Sequence, residues 1–162
     1  MVRFRRQLDC VLVKPAGPDC NLACCYCFYL RKHELFADGP VHRMAPDMLD
    51  RLVRQVMQQA GPQVVFAWQG GEPTLMGVEF FERATVLQRR LGRPGQTVGN
   101  GLQTNGLLID DRWCQLLRDA RFLVGLSLDG PAYIHDRYRV TAGGQPTFER
   151  VEAAARRMLD AG

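Results

Sequence analysis

Residues 14–30 read KPAGPDCNLACCYCFYL, and within them Cys20, Cys24 and Cys27 stand in a Cys-x3-Cys-x2-Cys spacing. Three thiolates on one short loop can hold three irons of a 4Fe–4S cluster, whose closed form takes four cysteines. The remaining iron keeps an open coordination position, which is what separates reactive metal centres from sealed ones. The ferredoxin run is spaced Cys-x2-Cys-x2-Cys and goes on to a fourth ligand. Zinc is the main alternative. It usually shows two separated Cys-x2-Cys-type knuckles, whereas Cys10 and Cys114 stand alone here. Cys25 sits next to Cys24 and reads as a packing residue or bystander. Six cysteines could in principle form a disulfide framework, but the chain is too long and helix-rich for a small secreted scaffold.

The chain has 162 residues, the size of one domain, with 46% hydrophobic and 23% charged residues. That is ordinary for a globular protein with a core. The net charge of +4 comes mostly from arginine, with Arg3, Arg5 and Arg6 clustered at the start. No run interleaves aromatic and basic residues, so nucleic-acid binding is not expected. No apolar stretch reaches the roughly 18–20 residues that span a bilayer, and no apolar h-region follows the first arginines. A cytoplasmic location is expected, where reduced thiols suit cluster assembly.

Working outward, strand-like and helix-like stretches alternate. Residues 10–14 (CVLVK) predict a buried strand that Pro15 and Gly17 turn into a loop. Residues 47–60 predict an amphipathic helix stopped by Gly61-Pro62. Strands are predicted over 64–68 (VVFAW), 96–104 and 122–128 (FLVGLSL). Helices are predicted over 78–91, from a cap at Asp110 to Ala120, and after a cap at Thr147. Alternating units of this kind imply right-handed crossovers and a parallel sheet, with chemistry at the carboxyl ends of the strands. The cysteine loop, Gln69-Gly70-Gly71-Glu72-Pro73, Gln103-Thr104-Asn105-Gly106 and Ser127-Leu128-Asp129-Gly130-Pro131 all fall on that rim.

The rim residues have both chemical and plain structural readings. Gly70 and Gly71 permit unusual torsions and close approach of main-chain groups to a ligand, or make a tight turn. Glu72 could face a cation, or favour the start of the next helix. Ser127 and Asp129 could hydrogen-bond a ligand, and Asp129 could instead cap the following turn. Arg139 suits a carboxylate; Arg137 competes with it, or pairs with Asp136. His135 alone is not a metal-ligand argument and reads as a satisfied loop histidine. Tyr26 and Tyr29 could flank a flat ring or serve as core aromatics. Gln103, Thr104 and Asn105 offer amide and hydroxyl groups that could hold a peptide, with an Asn-Gly turn as the plain alternative for Asn105.

Together KPAGPDCNLACCYCFYL, WQGGEPTL, QTNG, SLDGP and the following His135-Asp136 resemble the radical S-adenosylmethionine (SAM) enzymes, specifically the anaerobic sulfatase-maturating branch. The resemblance runs from residue 14 to about 148. It implies a partial TIM-like α/β barrel of which about four βα units are visible. Cys20, Cys24 and Cys27 would bind the 4Fe–4S cluster. Gln69, Gly70, Gly71, Glu72, Ser127 and Arg139 would meet SAM, with Tyr26 beside it. The amino and carboxylate groups of SAM would chelate the open iron, and one electron would cleave SAM to a 5′-deoxyadenosyl radical. That radical would start oxidation of a sulfatase cysteine or serine to Cα-formylglycine. A flavodoxin- or ferredoxin-type donor would supply the electron. Gln103, Thr104, Asn105 and Asp129 would face the peptide substrate. Related enzymes that modify other ribosomal peptides share much of this pattern, and a non-catalytic zinc or iron–sulfur module is the alternative from another class. Residues 1–162 read as the N-terminal part of a radical SAM core, with the acid/base residue, later strands and auxiliary-cluster domain expected further on. Cys20→Ala, Cys24→Ala and Cys27→Ala should each abolish cluster retention, while Cys25→Ala and Cys114→Ala should leave it nearly unchanged. Iron content and visible absorbance after anaerobic reconstitution check this.

Overall fold

The computed structural model describes residues 7–35, 39 and 41–162, with residues 33 and 34 described by backbone alone. The cluster of Arg3, Arg5 and Arg6 lies outside the described residues. Four strands, β1 (Leu8–Val13), β2 (Ala60–Trp68), β3 (Thr97–Thr104) and β4 (Phe122–Leu126), alternate with α1 (Pro46–Gln59), α2 (Val78–Leu91) and α3 (Asp111–Asp119). Helices α4 (Ala132–Tyr138) and α5 (Phe148–Ala161) follow β4. All neighbouring strands are parallel, in the sequential order β1-β2-β3-β4. Sequential order with crossovers of one hand is how a βα barrel grows, whereas a doubly wound sheet reverses direction. The expected α/β architecture, a partial barrel of four units, is what the chain forms. Among the described residues no helix is long and apolar enough to cross a membrane.

One sheet face is covered and the other is open. Val13, Val64, Phe66, Trp68 and Leu102 are buried in one core with Leu49 and Val53 of α1, Phe81 of α2, and Trp113 and Leu117 of α3. Period-two alternation sends the other residues of each strand to the opposite face. There Leu12, Val65 and Leu123 are exposed, Leu123 at 80%. The covered core is aromatic at its centre. Trp68 stacks on Phe66 at 5.8 Å, and Phe81 meets Trp68 at 5.4 Å and Trp113 at 5.2 Å.

Several boundaries differ from the sequence reading: β1 runs Leu8–Val13 rather than over 10–14, and only Val13 of it is buried. Gly61 and Pro62 do not end α1 from outside; they lie within β2, which begins at Ala60. The pairing of β1 jumps from Leu8↔Ala60 to Cys10↔Val65, so Pro62 sits in an irregular stretch of the ladder. A proline without an N–H is tolerated at such a bulge. The carbonyls freed there accept from Arg93 Nη2 (to Ala60, 2.6 Å) and Gln96 Nε2 (to Gly61, 2.8 Å). Strand β4 ends at Leu126 rather than residue 128, although Ser127 N–H still reaches Thr104 O at 2.9 Å. Helix α4 was not anticipated: it has seven residues, of which only His135 is buried, too few to show a helical period.

Asp110 caps α3 as expected, accepting from Trp113 N–H at 2.9 Å. Thr147 occupies the N-cap of α5, but its side chain does not cap. Instead Asp136 Oδ1 accepts from the N–H groups of Thr147 and Phe148, both at 2.8 Å. This bond, not an ion pair with Arg137, is the role of Asp136, and Arg137 lies over the Tyr138 ring.

A buried polar latch crosses the apolar core. Asn100 Oδ1 accepts from Trp68 Nε1 (2.9 Å) and Gln88 Nε2 (3.0 Å), and Asn100 Nδ2 donates to Gln88 Oε1 (2.8 Å). Truncating one member strands the others away from water, at about 1–3 kcal/mol for each group left unsatisfied. Asn100→Leu should therefore be markedly destabilised, and the double variant Asn100→Leu/Gln88→Leu should lose less stability than the sum of the two single effects. Urea denaturation of the set checks this.

Candidate functional site

The site is built at the carboxyl ends of the strands from a loop fastened at both sides. At its start, Gly71 N–H bonds Gly17 O at 2.9 Å and Glu72 N–H bonds Asp19 O at 2.7 Å. In its middle, Ala23 N–H bonds Val140 O at 2.8 Å and Cys25 N–H bonds Tyr138 O at 3.1 Å. A bridge joins Leu22 to Thr141. Gly70 and Gly71 serve this contact. Gly70 has φ +123, and a Cβ on Gly71 would lie 2.0 Å from Asp19 O. The space that the sequence reading gave to a ligand at Gly71 is filled by the backbone of the cysteine loop. The Asp19 carboxylate ties the loop to residues 41–44 by accepting from His42 N–H and facing His42 Nδ1, both at 2.8 Å, and by pairing with Arg43. Against the upward push of partial burial, these bonds hold its carboxyl below the usual range.

All six cysteines carry free thiols. Cys20 Sγ accepts from Leu22 N–H at 3.4 Å and from Asn105 Nδ2 at 3.6 Å, and Cys27 Sγ accepts from Tyr29 N–H at 3.4 Å. Cys20 is open to solvent, yet the protein packed around its sulfur pushes the thiol up to about 11, and Glu72, Cys24 and Cys27 add to that push. Burial raises Cys24 as well. A metal centre, rather than pH, would have to take these protons, as coordination of thiolates does. Among the described residues no three His, Cys, Asp or Glu side chains gather as a single-ion cage. A cluster asks for something different, one thiolate per iron with N–H groups aimed at the sulfurs, and the donor set of this loop fits it.

Opposite the loop, Asp129 is the meeting point of three elements. It accepts from the Tyr26 hydroxyl of the loop and from Arg139 Nη2 at 3.1 Å, just after α4, with Arg139 Nε 2.9 Å from the second oxygen. The last contact is an ion pair whose N–H is poorly aligned for a hydrogen bond. The Arg139 guanidinium also lies 5.4 Å from the centre of the Tyr26 ring. Although burial raises it, Asp129 is held below its usual range by Arg139 and Tyr26. Burial, and then the bond to Asp129, push Tyr26 up to about 12.

These features match one known family along almost the entire chain. The family model described as the radical SAM superfamily covers residues 15–162. The chain belongs to the radical SAM superfamily. The curated relatives include a serine-type anaerobic sulfatase-maturating enzyme of Bacteroides thetaiotaomicron, 43% identical over 142 residues, covering 87% of this chain and 34% of that protein. A cysteine-type enzyme of Clostridium perfringens is 45% identical over 148 residues, covering 90% of this chain and 39% of the relative. A solved structure described as native anSMEcpe with bound AdoMet and Cp18Cys peptide superposes with a TM-score of 0.86 at 42% identity, over 95% of this chain and 40% of that one. The chain thus spans well under half the length of these relatives.

Radical SAM proteins use a 4Fe–4S cluster and SAM, and the expected residues can be placed against that need. Cys20, Cys24 and Cys27 share the fastened loop. Tyr26, Asp129 and Arg139 form one cluster of side chains. Gln103 and Ser127 form another on the open sheet face, with Gln103 Nε2 donating to Ser127 Oγ at 3.1 Å. Gln69 follows β2, its N–H bonded to Val13 O at 2.9 Å.

Three side chains are turned inward. Glu72, expected to hold the SAM ammonium, is 1% exposed. Its Oε1 accepts from Thr74 N–H, Thr74 Oγ1 and Thr104 Oγ1, and its Oε2 from Asn105 N–H at 2.8 Å. Thr104 and Asn105, expected to hold peptide, are also buried. Buried carboxylates and hydroxyls spend their bonding capacity on one another, so these three brace the rim from below, while Gln103 alone of its stretch faces the opening.

Two further residues support the site: His135, read in the sequence as a satisfied histidine, and Gly125, which the sequence reading missed. His135 is fully buried; its Nδ1 accepts from Asp129 N–H at 3.3 Å and its Nε2 meets Thr147 Oγ1 at 3.1 Å. Burial, and then nearby Arg139, push its pKa down; it is a bonded core histidine that positions Asp129. Gly125 leaves room for Gln103, whose Oε1 would lie 2.3 Å from a Cβ there; a glycine inside the strand pattern FLVGLSL was the available signal.

Gly71→Ala should displace the cysteine loop. It should cost about 1–3 kcal/mol, as overpacking does, and sharply reduce iron uptake. Gly143→Ala, where the nearest foreign atom is 3.9 Å from the added Cβ, should change neither. Denaturation midpoints and iron content after reconstitution check the pair.

Proposed function

We propose that this chain is the cluster- and SAM-binding part of a radical SAM maturase that oxidises a cysteine or serine of a sulfatase to Cα-formylglycine. The observation that carries the reading is the fastened three-cysteine loop facing the Tyr26–Asp129–Arg139 cluster. Identities of 43% and 45% to a serine-type and a cysteine-type maturase support the substrate class. Together the cluster and SAM supply one-electron hydrogen-abstraction chemistry when bound. The chain's own residues hold and orient. Cys20, Cys24 and Cys27 would each give one thiolate. Arg139, now paired with Asp129, would turn its guanidinium to the SAM carboxylate, a charge-assisted contact worth about 1.5–3 kcal/mol. The Ser127 hydroxyl and the main chain at Gly70 would receive the rest of SAM, with Gln69 and the Tyr26 ring alongside. Gln103 and Asp129 would look toward the peptide from the open face. An acidic one-electron carrier of the flavodoxin or ferredoxin class would deliver the electron, in the reducing cytoplasm.

In the reconstituted protein, SAM should perturb the electron paramagnetic resonance signal of the reduced cluster. Arg139→Ala should weaken SAM binding about 10- to 150-fold, the equivalent of that bond energy. Incubation of the full chain with dithionite, SAM and sulfatase peptides carrying cysteine or serine, read by mass spectrometry, should yield formylglycine. Normal SAM cleavage without any formylglycine would shift the reading to a maturase of another ribosomal peptide. A colourless, zinc-loaded protein would defeat it altogether.

A further inference from the structure

Asn105 holds a buried amide against a cysteine sulfur. Its residue is 5% exposed, and every polar atom of its side chain has a partner. Nδ2 donates to Asn21 Oδ1 at 2.7 Å and to Cys20 Sγ at 3.6 Å, and Oδ1 accepts from Leu107 N–H at 3.0 Å. The amide orientation is decided by these partners. A flipped amide would set its oxygen against Asn21 Oδ1 and its NH2 against the Leu107 N–H. The backbone N–H of the same residue is anchored to Glu72 Oε2 at 2.8 Å. Glu72 in turn is fixed by Thr74 and Thr104. A line of bonds, buried up to its half-buried last link, thus runs from the ends of β2 and β3 to the sulfur of Cys20. With Leu22 N–H at 3.4 Å, Cys20 receives two N–H donors, one of them from a distant element.

We infer that Asn105 is a positioning residue for electron uptake: its side-chain amide donates to the Cys20 sulfur and raises the reduction potential of the cluster held there. This rests on the radical SAM reading of the cysteine loop. An N–H aimed at a ligating sulfur withdraws electron density and stabilises the reduced cluster, which carries one more negative charge. The arrangement places this donor on Cys20, whose surroundings already carry the negative charge of Glu72, so the amide offsets a field that would otherwise disfavour reduction. The conservation of shape needed at the Asn-Gly turn is met by the same side chain through Leu107.

The test is a potentiometric titration of the SAM-responsive paramagnetic signal in the reconstituted full chain. Asn105→Asp keeps the shape and the acceptor for Leu107 N–H but loses the donor. Asn105→Ser keeps a short acceptor for that N–H and cannot reach the sulfur with an amide. Both should bind iron as the wild type does and titrate at a more negative midpoint, with the larger shift for the aspartate. Asn21→Ala, which leaves the Asn105 amide in place, should shift the midpoint less than either. Unchanged midpoints in both Asn105 variants would overturn the inference while leaving the radical SAM reading intact. Loss of iron from both would also overturn it, assigning Asn105 to loop folding alone. A wild-type chain that takes up no cluster would overturn the inference and the reading together.

Discussion

Two backbone hydrogen bonds, from Gly71 to Gly17 and from Glu72 to Asp19, hold the cysteine loop to the end of β2, and the site depends on them. A loop carrying metal ligands has few apolar contacts of its own, so its conformation must be imposed by its neighbours. Here the imposition is steric as well as polar, because Gly71 allows the two backbones to touch where any side chain would collide with Asp19. The bonds of Ala23 to Val140 and of Cys25 to Tyr138, the last residue of α4, do the same in the middle of the loop. The loop is therefore positioned by β2 on one side and by the β4–α5 connection on the other.

Beneath that contact, and apart from the Asn100 latch in the core, two connected systems of buried polar groups support the rim. Glu72 joins β2 to β3 through Thr104 and Asn105. His135 joins the end of β4 to α5 through Asp129 N–H and Thr147. A buried network of this kind specifies one arrangement because each member left unpaired would cost more than the bond itself contributes. The consequence is that Asp129, Tyr26 and Arg139 are presented as a unit. The ion pair within that unit is mostly enclosed, with side-chain exposures of 17% for Arg139 and 28% for Asp129, so it is screened less than a surface pair.

Much of this was legible in the sequence. The cysteine spacing, the parallel α/β order and the placement of every polar motif on one rim follow from residue type, period and turn signals. These are local properties, and local stretches such as residues 78–91 report them faithfully. Where local cues were weak, the reading slipped. The chain places Gly61 and Pro62 within β2 because the ladder bulges there, and helix α4 is too short and exposed to announce itself.

What only the tertiary structure decided is direction. Glu72, Thr104 and Asn105 look in sequence like polar groups offered to a ligand, and so do Gln103 and Ser127. The fold turns the first three into the interior and leaves the other two on the open face. The choice depends on which strand end lies beside which loop, and partners 32 or 33 positions apart, such as Glu72 with Thr104 and Asn105, have no signature in either local segment. Sequence by itself determined which chemistry the chain can carry, since thiols, glycines and an arginine are fixed by identity. Only the packing of distant elements decided which of those groups face the open rim and which turn inward, because a buried polar atom must find its partner wherever the fold has placed one.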